Sequence, residues 1–159
     1  MSRRLIGLAL AAAAAILLTG CALAPPTVRT PDPSLAALSD EIAAIDGVQD
    51  AVATTSYDGS PATKRIIARI YLDEPATADV PSVAQATLLH LWQFDGFAPS
   101  GYTVEMWSGP KQSPPYDNTK RVDLTETLPL LQIPGARAFK GDLYLSASDL
   151  EAKFEPVSR

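Results

Sequence analysis

The chain holds a single histidine, His90, set between Leu89 and Leu91. A Ser–His–Asp or Cys–His arrangement would have to use it. No nucleophile elbow or comparable context lies near it, so a helix residue, partly packed or exposed, is the simpler reading. Zinc needs several His or Cys ligands. With one of each and no helical two-histidine spacing, no metal site is expected. No stretch matches an EF-hand loop, and the glycines are scattered singly, which is unsuited to cradling a phosphate. No cofactor is expected either. Two carboxylates facing each other can split a glycosidic bond. Asp73-Glu74 and Asp149-x-Glu151 are candidates by composition, but turn and helix-cap positions explain them without catalysis.

Aromatic side chains are the remaining chemistry. Trp92 and Phe94 fall in one helical stretch, Tyr102 and Trp107 in one alternating stretch, and Tyr116 in a proline-rich segment. Binding surfaces often use such rings. Trp92 lies off the main apolar stripe, and Trp107 lies on the opposite strand face from Val104. Trp107, Trp92 and Tyr116 are therefore the candidate contacts for a ligand or partner, with core or edge packing as the commoner reason for such rings.

The one cysteine, Cys21, has a specific context. Arg3 and Arg4 precede Leu5 to Leu18, an uncharged apolar run of 14 residues, and Thr19 and Gly20 are small. This is the three-part layout of a secretory signal, and the run is short of the roughly 20 residues of a spanning helix. Leu18-Thr19-Gly20-Cys21 resembles the lipobox of bacterial lipoprotein precursors, and the resemblance covers residues 1 to about 21. It implies a diacylglyceryl group on the Cys21 thiol, cleavage just before it, and in many bacteria acylation (commonly palmitate) of the new amino group. Each acyl CH₂ buried in lipid contributes about 0.8 kcal/mol, so two or three chains anchor the protein durably. The expected location is the extracytoplasmic face of the cell membrane, with no thiol left for a disulfide or for catalysis.

The expected organisation is a signal over 1–20, a lipidated cysteine and proline-rich tether over 21–33, and one globular domain over 34–159. Four prolines in the twelve residues from Ala22 to Pro33 favour an extended spacer over a helix or central strand. The whole chain carries a net charge of −5. Without Arg3 and Arg4, 11 of the 13 Lys and Arg stand against 18 Asp and Glu, a net −7. Nucleic-acid binding needs basic patches, so no nucleic-acid partner is expected.

Ser34 can cap a helix over about 35–46 with Leu35, Leu38, Ile42 and Ile45 on one face, and Gly47 as its stop. Val48 to Tyr57 and Ile66 to Leu72 read as two strands of an antiparallel hairpin around a turn at Asp58–Pro61. On the second strand Ile66, Ala68, Ile70 and Leu72 face one way and Ile67, Arg69 and Tyr71 the other. Asp79 and Pro81 open a second helix with the stripe Val80, Val83, Ala84, Thr87, Leu88, Leu91 and Phe94. Tyr102 to Trp107 is a third strand. Gly109 to Asn118 is a long loop, and Arg121 to Thr127 a fourth strand candidate. Pro129 and Pro134 break the chain. Asp142 to Leu145 is a short strand, and Ser146-x-x-Asp149 opens a helix to about Phe154.

This order predicts an α+β fold: a small, mostly antiparallel sheet with helices on one face. A ferredoxin-like relative is the first comparison. The functional expectation is a lipid-anchored binding or interaction module of the cell envelope, not an enzyme. Its partners would be the membrane through Cys21 and an envelope protein or small ligand. A carboxylate-based hydrolase and a structural adaptor for a membrane complex are the alternatives.

Overall fold

Alternation in the strands decides the architecture. On β2 (Lys64–Leu72), Ile66, Ala68, Ile70 and Leu72 are buried. On β3 (Gly101–Ser108), so are Tyr102, Val104 and Met106. On β6 (Asp142–Ser146) it is Leu143 and Leu145. These residues join one apolar cluster with side chains from four helices: α1 (Pro33–Ala43), α2 (Val80–Gln93), α3 (Leu128–Leu131) and α4 (Ala147–Lys153). The four α-helices of the described residues therefore cover the same face of the sheet. Each fully buried Leu or Ile contributes about 1.5–3 kcal/mol.

The computed structural model describes residues 32–57, 59–60 and 63–154, all within one compact unit. The expected signal, the Cys21 lipobox resemblance, the expected tether up to residue 31, and Asp58 and Pro61 of the expected turn lie outside the described residues. So does the end of the expected domain, 155–159. No helix among the described residues is long and apolar enough to cross a membrane.

The sheet is mixed and open, with strand order β1-β2-β3-β6-β5. β1 (Val48–Tyr57) pairs antiparallel with β2. The one parallel pair among the described residues, β2 with β3, follows from α2, which carries the chain back across the sheet. β6 runs antiparallel along the first half of β3, from Gly101 to Val104, and to β5 (Arg137–Phe139). β4 (Arg121–Val122) pairs with β3 further on, at Met106 and Trp107. The sheet is thus mostly antiparallel, in an α+β fold. A ferredoxin-like sheet repeats the strand–helix–strand unit. Here one strand–helix–strand unit occurs among the described residues, with its strands β2 and β3 directly paired, and the sheet is completed by the β5–β6 hairpin.

Local departures from the sequence reading have local causes. Helix α1 begins at Pro33, not after Ser34. Asp32 is its cap, accepting from the Ser34 amide at 3.0 Å and hydroxyl at 2.7 Å. Proline lacks only an amide that the first turn leaves unbonded anyway, so Pro33, expected to end a tether, belongs to the helix. The helix ends at Ala43, three residues short, and Gly47 (φ +86°) closes the following turn. The fourth strand is two residues long because Asp123 turns the chain, accepting from the Thr125 amide at 2.9 Å, and Leu124 drops into the core. Pro129 lies in the first turn of the short helix α3, where a proline is tolerated, and does not break the chain. β5 escapes sequence reading because only three residues form it. Its two-residue turn uses Lys140 (φ +53°) and Gly141 (φ +86°), the pair of positive φ values a tight hairpin needs.

Candidate functional site

The face without helices gathers the polar side chains that the strands alternate away from the core. By register it carries Arg65, Ile67, Arg69 and Tyr71 from β2, beside Gly101, Thr103, Glu105 and Trp107 from β3. Arg121 lies opposite Trp107. Tyr144 lies opposite Thr103 and Arg137, and Asp142 lies opposite Phe139. Arg65, Arg69, Arg121 and Arg137 are all the arginines among the described residues. An acidic chain has set every one of them on this face.

At the centre, charge and aromatic rings form a closed circuit. Arg69 Nε donates to Glu105 Oε2 at 2.8 Å. Arg121 Nη2 reaches the same oxygen at 3.7 Å and Asp142 Oδ2 at 3.0 Å. The Arg121 guanidinium lies 5.1 Å from the Trp107 ring centre, Trp107 lies 5.6 Å from Tyr116, and Arg69 lies 4.5 Å over Tyr116. Each contact has cation–π or ring–ring geometry. Tyr116 comes from the loop between β3 and β4, which arches over the sheet. Lys111 ties the same arch to Asp50 on β1 at 3.2 Å.

Burial sets the protonation chemistry. Loss of water pushes the Asp142 carboxyl up to about 6, against the pull of Arg121. Burial works against the Arg69 charge, but the hydrogen bond and charge of Glu105 outweigh it and raise its affinity for the proton. Burial also raises the Tyr144 phenol, and Asp142 and Glu105 push it the same way. Trp107 Nε1, Arg121 Nε and Asp142 Oδ1 are buried without a hydrogen-bond partner among the described residues. A carboxylate titrating near 6 has the proton affinity of a general acid. The Asp142 side chain is only 4% exposed and bound to Arg121.

A cleft of about 600 Å³ opens at one end of this face, lined by Arg65, Arg137, Phe139, Tyr144, Ser146 and Asp149 among others. Phe139 and Tyr144 meet edge to face at 6.2 Å. Arg65 Nη1 donates to the backbone carbonyls of Tyr102 at 2.8 Å and Leu145 at 3.2 Å. Gly101 makes room for it: a Cβ there would lie 3.0 Å from both terminal nitrogens and 2.6 Å from the Leu145 carbonyl oxygen. Asp149 is engaged in the α4 capping box, accepting from the Ser146 amide at 2.7 Å.

The sequence-derived candidates separate. Trp107 and Tyr116 come together in the circuit, but Trp107 is 2% exposed. It is not the exposed ring that its place opposite Val104 suggests, because the arch and Arg121 cover it. Trp92 packs half-buried against the core on the helix side, away from both. His90 Nδ1 lies 3.4 Å from Glu41 between α2 and α1. Asp73 and Glu74 sit exposed in a turn, whose Glu74 carbonyl accepts from Thr77 and Ala78. No cluster of metal-ligating side chains occurs among the described residues. The arginines, Glu105, Asp142, Tyr144 and Phe139 escape sequence reading as a site. Their one visible signal is the odd-numbered charge on β2 and β3. No family model, curated protein or solved structure matches the chain.

Proposed function

We propose that this chain is a lipid-anchored binding module of the cell envelope, non-catalytic, that presents its helix-free sheet face to a small ligand. The cleft on that face carries the reading. Its volume falls within the range of small-molecule sites, and its lining joins aromatic walls with a few placed polar groups. Its one described carboxylate, Asp149, is already hydrogen-bonded to backbone. Glu105 and Asp142 sit side by side on Arg121, not across a gap. Both arrangements fit binding better than carboxylate-based hydrolysis. The anchor half of the reading rests on the Arg3-Arg4, apolar run and Cys21 pattern.

In-cell cross-linking followed by mass spectrometry, with Cys21→Ala as control, tests the reading. Wild type should fractionate with membranes and Cys21→Ala should not. A variant that stays in the membrane fraction would refute the anchor. A single stoichiometric protein partner captured through the helix-free face would replace the small-ligand module with an adaptor.

A further inference from the structure

Resting on the reading of the cleft as a ligand site, we infer that its ligand is a small molecule carrying an oxyanion, phosphate or carboxylate, on a flat apolar body. Charge argues for the oxyanion. The domain is acidic, yet two of its arginines line this one cleft. Arg137 is exposed at the rim and has no carboxylate partner among the described residues. Arg65 is held by two carbonyls over Gly101. Those two carbonyls orient the Arg65 guanidinium at the cleft, and the planar fork of an exposed arginine such as Arg137 matches the two oxygens of a carboxylate or phosphate. Lys140 adds a further positive charge, its Nζ 5.3 Å from the Phe139 ring centre.

The flat body follows from the walls. Phe139 is 60% exposed, unusual for so large an apolar side chain in the described fold. Its edge-to-face contact with Tyr144 leaves an aromatic surface open to the cleft. A ring laid against that surface would remove it from water. Asp149 would repel an oxyanion at its own end of the cleft. The ligand's charge therefore sits toward Arg137 and Arg65.

The test uses the full chain purified in neutral detergent, with arginine side-chain and aromatic resonances followed by NMR. Three probes are titrated: phenyl phosphate, inorganic phosphate and neutral phenyl glucoside. Phenyl phosphate should shift Arg137, Arg65 and Phe139 together, and bind about tenfold more tightly than either other probe. Arg137→Gln should weaken it about tenfold and Arg137→Lys less, since lysine keeps the charge but loses the planar fork. Arg137 is exposed, so the fold should be unchanged in either variant, as the remaining resonances will show. Equal binding of phenyl glucoside would overturn the oxyanion while leaving the cleft a ligand site. Equal binding of inorganic phosphate would overturn the flat body. If no probe moves a cleft resonance, the inference fails, and the cross-linking result still decides independently whether the protein is anchored and whether it is an adaptor for a protein partner. A benzoate titration then separates carboxylate from phosphate: the tighter probe of the two names the source.

Discussion

Arg69 holds Tyr116 in two ways at once: Nη1 donates to the phenol oxygen at 2.9 Å, and the guanidinium lies 4.5 Å over the ring. These residues are 47 apart in the chain. Their contact closes the arch between β3 and β4 onto the sheet and covers Trp107.

Removing that grip should uncover Trp107. Tyr116→Phe keeps the ring and loses the acceptor, at a cost of about 1 kcal/mol. Tyr116→Ala loses both. In a Trp92→Phe background, which leaves Trp107 as the reporter, Tyr116→Ala should shift emission to the red and increase acrylamide quenching, and Tyr116→Phe should do so far less. Identical spectra in all three would show that the arch does not shield Trp107.

The Asp142 carboxyl gives stability an unusual pH dependence. Its proton affinity in the fold, near pH 6, exceeds the unfolded value of 3.8. Between those values the folded state retains a proton that the unfolded chain has released. Stability from this group therefore falls as pH rises from about 4 to 6. Asp32, Asp79, Asp117 and Asp123 work in the other direction. Hydrogen bonds from neighbouring Ser or Thr residues hold their proton affinities below 3.8, so their contribution is lost only as pH falls below about 4. Urea unfolding between pH 3.5 and 7.5 should peak near pH 4–5. Asp142→Asn should flatten the decline toward pH 6, and an unchanged slope would place the titrating group elsewhere.

Gly101 is required by space, not by φ. Gly101→Ala drives a methyl against the Leu145 carbonyl and the Arg65 guanidinium, and should cost about 1–3 kcal/mol as overpacking. An Arg65→Ala partner variant separates the two contacts. If Arg65 is the softer neighbour, the double variant recovers little and the β3–β6 backbone clash dominates. Equilibrium denaturation of the four chains gives the coupling directly.

The α4 cap should be worth about 1 kcal/mol. Ser146 Oγ accepts from the Asp149 amide at 3.2 Å while Asp149 accepts from the Ser146 amide, so Asp149→Ala removes half of a reciprocal pair. Gly135→Ala should cost more. It puts a side chain at φ +82° and directs it into Asp149. Thermal unfolding of both variants checks the order.

Much of the fold was legible because it depends on near neighbours. The Leu35, Leu38 and Ile42 face and the α2 stripe follow helical period. The alternation from Ile66 to Leu72 places β2, and Ser146 with Asp149 marks the start of α4. The site was far less legible. Arg69 was recognisable as pointing away from Ile70, but its partners Glu105 and Tyr116 lie 36 and 47 residues on. Only the parallel pairing through α2 brings Glu105 alongside. Trp107 was visible as opposite Val104, but not that Arg121 and Tyr116 would cover it. β5 has no periodic signature of its own, so the cleft it helps to form left no trace in the sequence.

The alternation along β3 means that one strand carries two interleaved messages. Residues 102, 104 and 106 are written for the core, and 101, 103, 105 and 107 for the open face. β3 is fixed on both sides, by β2 along its length and by β6 and β4 in turn, so it cannot slide to absorb an error. Point changes can revise either message alone. A single-residue deletion within the strand would exchange them, sending Glu105 among the leucines and Val104 toward the arginines. Within β3, insertions and deletions should therefore be far rarer than substitutions in any functional library of this protein.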